Sequence, residues 1–237
     1  MPERHQIAVV IPAAGTSSRF AASGAPVSKL AAQLGGRSVL SRAVAAFLDR
    51  DDVGRVIVAT RDHATTNAVL GDLALHAKLT LVGGSDSRAQ TVAVAAKAVD
   101  TRYDLVAVHD GARPLVSNAL ISRVFDFARA GGAFRACAPA LPIALTVKEC
   151  QGPLPGKVSR TIPRQALWAL QTPQVVPRQR FVEACEQLGE KLSVMTDDLQ
   201  VLEAVGEQTW LVEGDERNIK ITTRQDLSLA EELLAMR

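Results

Sequence analysis

The chain has little with which to build a metal cage or a disulfide framework. Of its 237 residues only three are cysteine, Cys137, Cys150 and Cys185, an odd number without metal-ligand spacing. That is the pattern of free thiols in a reducing compartment. The four histidines, His5, His63, His76 and His109, form no H-E-x-x-H or similar cluster. An excess of one charge is also missing. The net charge is +2, which gives no reason to expect a nucleic-acid polymer or a membrane surface as partner. No apolar run is long enough to cross a bilayer, and MPERHQ leads straight into a strand pattern with no room for a signal peptide. A cytoplasmic protein is expected. Two phosphate-loop fingerprints, G-x-x-x-x-G-K-[ST] and G-x-G-x-x-G, are absent as well. Neither a Walker loop nor an ordinary dinucleotide turn is present, and a nicotinamide oxidoreductase is disfavoured.

What is there is ordinary in bulk: 47% hydrophobic and 22% charged residues, in a length that suits one α/β domain with a full core. The organising stretch is IAVVIPAAGTSSRFAASGAPVSK, from Ile7 to Lys29. Ile7 to Pro12 is apolar and β-branched at nearly every position, as expected of a central parallel strand covered on both faces. Ala13, Ala14, Gly15 and the hydroxyls of Thr16, Ser17 and Ser18 follow, a small-residue turn able to bring backbone N–H groups against phosphate oxygens. Arg19 and Lys29 add a planar fork and a point charge suited to a polyphosphate. Local pattern alone leaves open a plain βα turn carrying two surface cations.

Helix and strand patterns then alternate. Helices are expected over Ser38 to Leu48, capped by Ser38, over Thr65 to His76 and over Ala89 to Val99. Strands are expected at Arg55 to Thr60, Leu79 to Val82 and Leu105 to Val108. Small-residue breaks at Gly15, Gly83 and Asp110 all fall at carboxyl ends of strands, where open α/β sheets bind ligands. After a strand-like Phe134 to Ala140, Thr146 to Cys150 and Val158 to Ile162 flank the turn QGPLPGK, which reads as an extended hairpin. Helices at Arg178 to Leu188 and Asp197 to Val205, a strand at Thr209 to Gly214, a short strand at Asn218 to Thr222 and a helix at Arg224 to Met236 complete the chain. The expected fold is α/β, a Rossmann-like, mostly parallel sheet with helices on both faces. It forms a single domain over residues 1–237 with a protruding β-hairpin arm at about 140–163.

Asp110 and Arg113 suit a substrate hydroxyl or metal ion and a phosphate, or else form a structural contact closing a turn. Gly83 and Gly84, followed by Arg88 and Thr91, offer close backbone approach and polar groups to a base edge, or simply a helix start capped by Asp86 or Ser87. Arg164 and Lys220 read by themselves as solvated cations. Asp197 and Asp198 read as acids at a helix N-terminus, outside the site.

Six motifs in fixed order carry a resemblance over nearly the whole chain. They are I-P-A-A-G-x-x-x-R at Ile11 to Arg19, G-G-x-x-x-R-x-x-T at Gly83 to Thr91, and V-H-D-G-A-R-P at Val108 to Pro114. L-W-x-x-Q-T-P-Q at Leu167 to Gln174, T-D-D at Thr196 to Asp198 and N-I-K-I-T at Asn218 to Thr222 follow. The sequence resembles the 2-C-methyl-D-erythritol 4-phosphate cytidylyltransferases of the non-mevalonate isoprenoid pathway. The resemblance implies that Pro12, Ala13, Ala14, Gly15, Thr16, Arg19 and Lys29 hold the CTP phosphates, and that Gly83, Arg88 and Thr91 cup the cytosine. It implies that Asp110 and Arg113 orient nucleotide and sugar phosphate, and that Thr146, Arg164 and Lys220 bind the acceptor. Thr146 and Arg164 would come from the arm of a partner subunit in a homodimer, and Mg2+ would be held mainly by the triphosphate. Two departures stand out. The family's P-K-Q-Y or P-K-Q-F is Val27-Ser28-Lys29-Leu30 here, and the acid of its arm motif D-T-M-K or D-T-I-K is Leu145.

The implied reaction joins CTP and 2-C-methyl-D-erythritol 4-phosphate with release of pyrophosphate. Arg19, Lys29 and Lys220 would be the catalytic cations, and no general base is needed because the attacking phosphate is already ionised. A ribitol-5-phosphate cytidylyltransferase and a non-catalytic, nucleotide-binding regulatory protein are the competing readings.

Overall fold

The computed structural model describes residues 6–15, 18–24, 28–131 and 133–236, the side chains of residues 18 and 19 excepted. In chain order the first half runs β1 (Ile7–Pro12), α1 (Ser18–Ala22), the short strands β2 (Gln33–Leu34) and β3 (Arg37–Ser38), α2 (Val39–Leu48), β4 (Val53–Thr60), α3 (His63–Leu70), β5 (Leu79–Gly83), α4 (Arg88–Ala98), β6 (Leu105–Val108) and α5 (Asn118–Arg129). The second half runs β7 (Ala136–Pro142), β8 (Val147–Gln151), β9 (Lys157–Ile162), β10 (Trp168–Leu170), β11 (Gln174–Pro177), α6 (Arg178–Leu188), α7 (Asp198–Glu203), β12 (Thr209–Glu213) and α8 (Arg224–Ala235).

The central sheet has the order β10-β7-β11-β6-β1-β4-β5, with β12 pairing β7. β1 is parallel to both β4 and β6, β4 to β5, and β12 to β7, whereas β10 and β11 run antiparallel to their neighbours. β1 owes its central place to being apolar on both faces. Ile7, Val9 and Ile11 enter one core cluster with α2 and α5, while Ala8 and Val10 enter the other with α4, α6 and α7. The alanines of α4 let that helix lie close on the sheet; Ala89, Ala95 and Ala96 are all buried. A third cluster joins Phe20, Leu34, Leu115 and Ile221 to α8. Helix starts follow the side chains expected to cap them. Ser38 accepts from the Ser41 N–H, and Ser87 and Gln90 form a capping box at α4.

Three expectations need correction. The helix expected to reach His76 stops its α-helical course at Leu70, because Gly71 takes φ 60° and the chain tightens into a 3-10 turn over Gly71–Leu75. The helix expected over Asp197 to Val205 is shorter, Asp198–Glu203, with Asp197 as its cap. Asn218 to Thr222 is no strand. Ile219 and Ile221 alternate as in a strand because both pack into the third cluster, and the segment is fixed by two backbone bonds, Asn218 N–H to Asp215 O and Ile221 N–H to Ala112 O. The hairpin is present: β8 and β9 pair only with each other among the described strands and are almost wholly exposed. No helix among the described residues is long and apolar enough to cross a membrane.

Candidate active site

The chain leaves β1 for β4 on one side and returns to β6 on the other, so the strand order reverses at β1. Such a switch point opens a crevice at the carboxyl ends of the strands. Here it holds about 630 Å³ of open space counted out to its mouth, lined by Pro12, Ala14, Gly15, Lys29, Leu30, Ser85, Asp86, Ser87, Arg88, Thr91, Asp110, Gly111, Ala112 and Lys220.

Eight of the sequence-predicted residues therefore meet in one cleft: Pro12, Ala14, Gly15, Lys29, Arg88, Thr91, Asp110 and Lys220. Ala13 faces a smaller neighbouring hollow, and its N–H bonds Ala59 O. Gly83 ends β5 beside Thr60. The closest backbone approach is made by the next residue: a Cβ on Gly84 would lie 2.6 Å from that of Ala14. Thr16 and the side chain of Arg19 lie outside the described residues. Thr146 and Arg164 are exposed at the base of the arm and are not among the cleft-lining residues; Arg164 donates to the Ala144 carbonyl.

The core of the site is a charge network on Asp110. Its carboxylate lies 2.8 Å from Lys220 Nζ, 3.4 Å from Arg88 Nε and 3.6 Å from Arg113 Nε. Burial alone would raise the Asp110 pKa, but Arg88, Lys220 and Arg113 outweigh it and hold the group well below the usual carboxylate range. Arg113 is itself buried, donating to Asn218 O at 2.7 Å and Leu170 O at 3.3 Å, so it stands behind the cleft wall.

Arg88 reaches further. Its two terminal nitrogens grip Asp198 at 3.0 and 2.8 Å. Burial opposes its charge, but Asp198 and Asp110 together raise its pKa. Asp198 is 1% exposed; burial pushes its carboxyl up against the pull of Arg88. This residue was missed in the sequence, where the T-D-D motif was the only signal for it. Asp197 takes the capping role, accepting from the Leu199 and Gln200 N–H groups. Asp198 is thereby released to face inward. Thr91 serves the loop: its hydroxyl donates to Ser85 O and accepts from Ser85 N–H.

His109 lies beneath Asp110, fully buried. Its Nε2 is 3.1 Å from Arg113 O and its Nδ1 3.0 Å from Thr172 Oγ1. The carbonyl only accepts, so Nε2 donates and Nδ1 accepts from the Thr172 hydroxyl, whose oxygen accepts the Asp110 N–H at 3.0 Å. Burial pushes the His109 pKa down to about 4. A neutral imidazole locked in one tautomer is a structural strut under the site.

The pH consequence has a definite sign. Between the ordinary 6.5 and about 4 the unfolded chain protonates this imidazole and the folded one does not. Acidification through that window should therefore remove stability on the order of 3 kcal/mol. Urea unfolding at pH 7 and pH 4.5 should show the loss, and His109→Gln should flatten the slope. Equal slopes in the two proteins would remove His109 as its source.

Among the described residues no three His, Cys, Asp or Glu side chains cluster as a metal cage. Asp110 is occupied by three cations and Asp198 by one.

The family model IspD, 2-C-methyl-D-erythritol 4-phosphate cytidylyltransferase, matches residues 7–236. A 2-C-methyl-D-erythritol 4-phosphate cytidylyltransferase of Desulforamulus reducens is 36% identical over 98% of this chain and 97% of its own. The chain also aligns, at 35% identity over 96% of its length, with the bifunctional enzyme IspD/IspF of Desulfotalea psychrophila, of which it spans only 56%. Among solved structures, the cytidylyltransferase of Francisella tularensis superimposes with a TM-score of 0.81 at 27% identity, over 96% of this chain and 99% of that one. That of Thermus thermophilus gives 0.77 at 33% identity, over 97% and 99%. The chain belongs to the 2-C-methyl-D-erythritol 4-phosphate cytidylyltransferase family.

Proposed function

We propose that the chain transfers the cytidylyl group of CTP to 2-C-methyl-D-erythritol 4-phosphate, with release of pyrophosphate. The observation that carries this reading beyond family membership is the meeting of Lys29, Arg88 and Lys220 with the Gly15 turn in one cleft at the β1/β6 switch point. Two polyanions must be brought together there, and fixed cations and backbone N–H groups are what that task needs.

The acceptor's phosphate oxygen attacks the α-phosphorus of CTP, forming the new P–O bond as the bond to pyrophosphate breaks. The electron pair leaves with pyrophosphate, and no proton has to be removed from the nucleophile. The Gly15 turn, with Arg19 and Lys29, binds the triphosphate. Gly83, Gly84 and Arg88 frame the nucleotide, and Thr91 holds their loop. Lys220 meets the attacking phosphate, with Arg113 fixing the wall behind it. A divalent cation such as Mg2+, carried by the triphosphate, would neutralise part of its charge.

Thr146 and Arg164, exposed on the arm of one protomer, complete the acceptor site of a second in a homodimer. Exposed Leu145 and Leu154 on the same arm support that use of it. The chain acts as one nucleotidyltransferase domain. A cytoplasmic location accords with its substrates and with the buried thiols of Cys137 and Cys185, each pushed up to about 12 by burial.

Purified protein with CTP, Mg2+ and either methylerythritol phosphate or ribitol 5-phosphate should release pyrophosphate with the first only. Turnover with ribitol 5-phosphate, or with neither acceptor, would reject the reading. In the same assay Lys29→Ala is expected to lose on the order of 10²-fold in turnover, as for loss of a preorganised oxyanion donor, with an unchanged far-ultraviolet spectrum. Near-normal turnover would take Lys29 out of the reaction.

A further inference from the structure

Gln171, Thr172 and Pro173, which link β10 to β11, and Gln174, the first residue of β11, touch three separate parts of the site. Gln171 and Gln174 are buried, 6% and 2% exposed. The side-chain oxygen of Gln174 accepts the Asp198 N–H at 2.7 Å, and Asp198 in turn grips Arg88. Gln171 faces the opposite way. Its Nε2 donates to Asp215 O at 2.8 Å and Asn218 O at 3.4 Å, and its Oε1 accepts the Asp215 N–H at 3.0 Å. Lys220 follows two residues after Asn218 and one before Ile221, whose N–H is fixed to Ala112 O.

We infer that Gln171 and Gln174 are positioning residues that set the two cleft-lining cations on Asp110 independently: Gln174 sets Arg88 through Asp198, and Gln171 sets Lys220 through the turn at residues 215–218. The geometry separates the two paths. No hydrogen bond joins the two amides among the described contacts, and each ends on a different oxygen of Asp110, Arg88 at Oδ1 and Lys220 at Oδ2. An amide side chain suits both places. Gln171 must donate to carbonyls and accept from an N–H at once, and Gln174 must accept beside a buried carboxylate without adding charge.

The inference rests on the proposed reaction for its assignment of Arg88 to the nucleotide and Lys220 to the acceptor. Gln→Met keeps the volume and removes the hydrogen bonds, so Gln174→Met and Gln171→Met are the variants of choice. A misplaced cation costs about tenfold where a charged hydrogen bond is lost. Gln174→Met should raise KM for CTP by about that factor and leave KM for the acceptor within twofold. Gln171→Met should do the reverse. Both constants rising together in either variant, or neither rising, would overturn the inference. If the methionine variants do not fold, Gln171→Ser and Gln174→Ser, which admit water in place of the amide, are held to the same split. If the wild-type chain turns over no acceptor, the proposed reaction fails on its own account. Calorimetry with CTP then still decides: weaker binding in Gln174→Met alone supports the inference, and equal affinity in both variants overturns it.

Discussion

Lys220→Ala is expected to lower turnover on the order of 10²-fold or more, comparable to losing a preorganised donor aimed at developing charge, with little change in melting temperature. Lys220 Nζ is held 2.8 Å from Asp110 while its side chain stays 37% exposed, so it is placed by the fold yet open to the cleft. In the proposed reaction an incoming phosphate would compete with Asp110 for this ammonium. The exchange is feasible because Asp110 keeps Arg88 and Arg113 when Lys220 turns away. A cation that gains contact as the phosphate moves toward the α-phosphorus lowers the barrier, whereas one bound equally tightly throughout would change only KM. The fold should tolerate the change because the Lys220 backbone is fixed from both sides, at Asn218 and Ile221. Pyrophosphate release at saturating CTP and acceptor, with a melting curve, tests it. Turnover within threefold of wild type would show that Lys220 only neutralises Asp110.

Much of this arrangement is written in short-range pattern. The alternation of Ile7, Val9 and Ile11 against Ala8 and Val10 declares a strand buried on two faces, and the two core clusters divide along that alternation. The breaks at Gly15, Gly83 and Asp110 fall at strand ends because small or polar residues stop an apolar run there, and the parallel order brings those ends together.

Contacts across long separations are not legible in the same way. Asp198 and Arg88 are 110 residues apart, and an acid in the first turn of a helix looks the same whether it faces water or a guanidinium. Nor does the text show that Arg113 points into the protein, since its partners Leu170 and Asn218 are 57 and 105 residues away. Ile219 and Ile221 mimic a strand because packing against α8 imposes the same alternation that a sheet would. Motif order supplied what local chemistry lacked for Lys220, which read by itself as a solvated cation.

At the far end of the sheet, Asp52→Ala is expected to cost about 3–5 kcal/mol of stability, the penalty for stranding a buried ionic partner, while leaving turnover of the folded enzyme unchanged. Asp52, 8% exposed, takes Arg50 in two bonds, at 2.9 and 3.0 Å, and Arg129 at 3.4 Å. Both guanidinium groups lie 5.6 Å from the centre of the Phe125 ring. The cluster binds the entry to β4 to α5: Arg50 also reaches Asn118 and Ser122 on that helix, and Asp52 O accepts the Ile7 N–H at the start of β1. Without the carboxylate, the two like charges at one ring lose the ion pairs that both make with Asp52. Burial raises the Asp52 pKa, yet Arg50 and then Arg129 outweigh burial and bring it below 3.8. Its contribution is thus present above the unfolded value and lost as pH falls through the lower folded value. The variant should therefore show a shallower loss of stability below about pH 4 as well as a lower midpoint at pH 7. Asp52→Asn, which keeps the shape, should fall between the two. The cluster sits at the amino ends of β1 and β4 and the cleft at their carboxyl ends, a separation at which effects of substitution add independently. Urea midpoints read beside pyrophosphate release decide the matter: a loss under 1 kcal/mol would mean that Phe125 and the helix contacts hold the two arginines without Asp52.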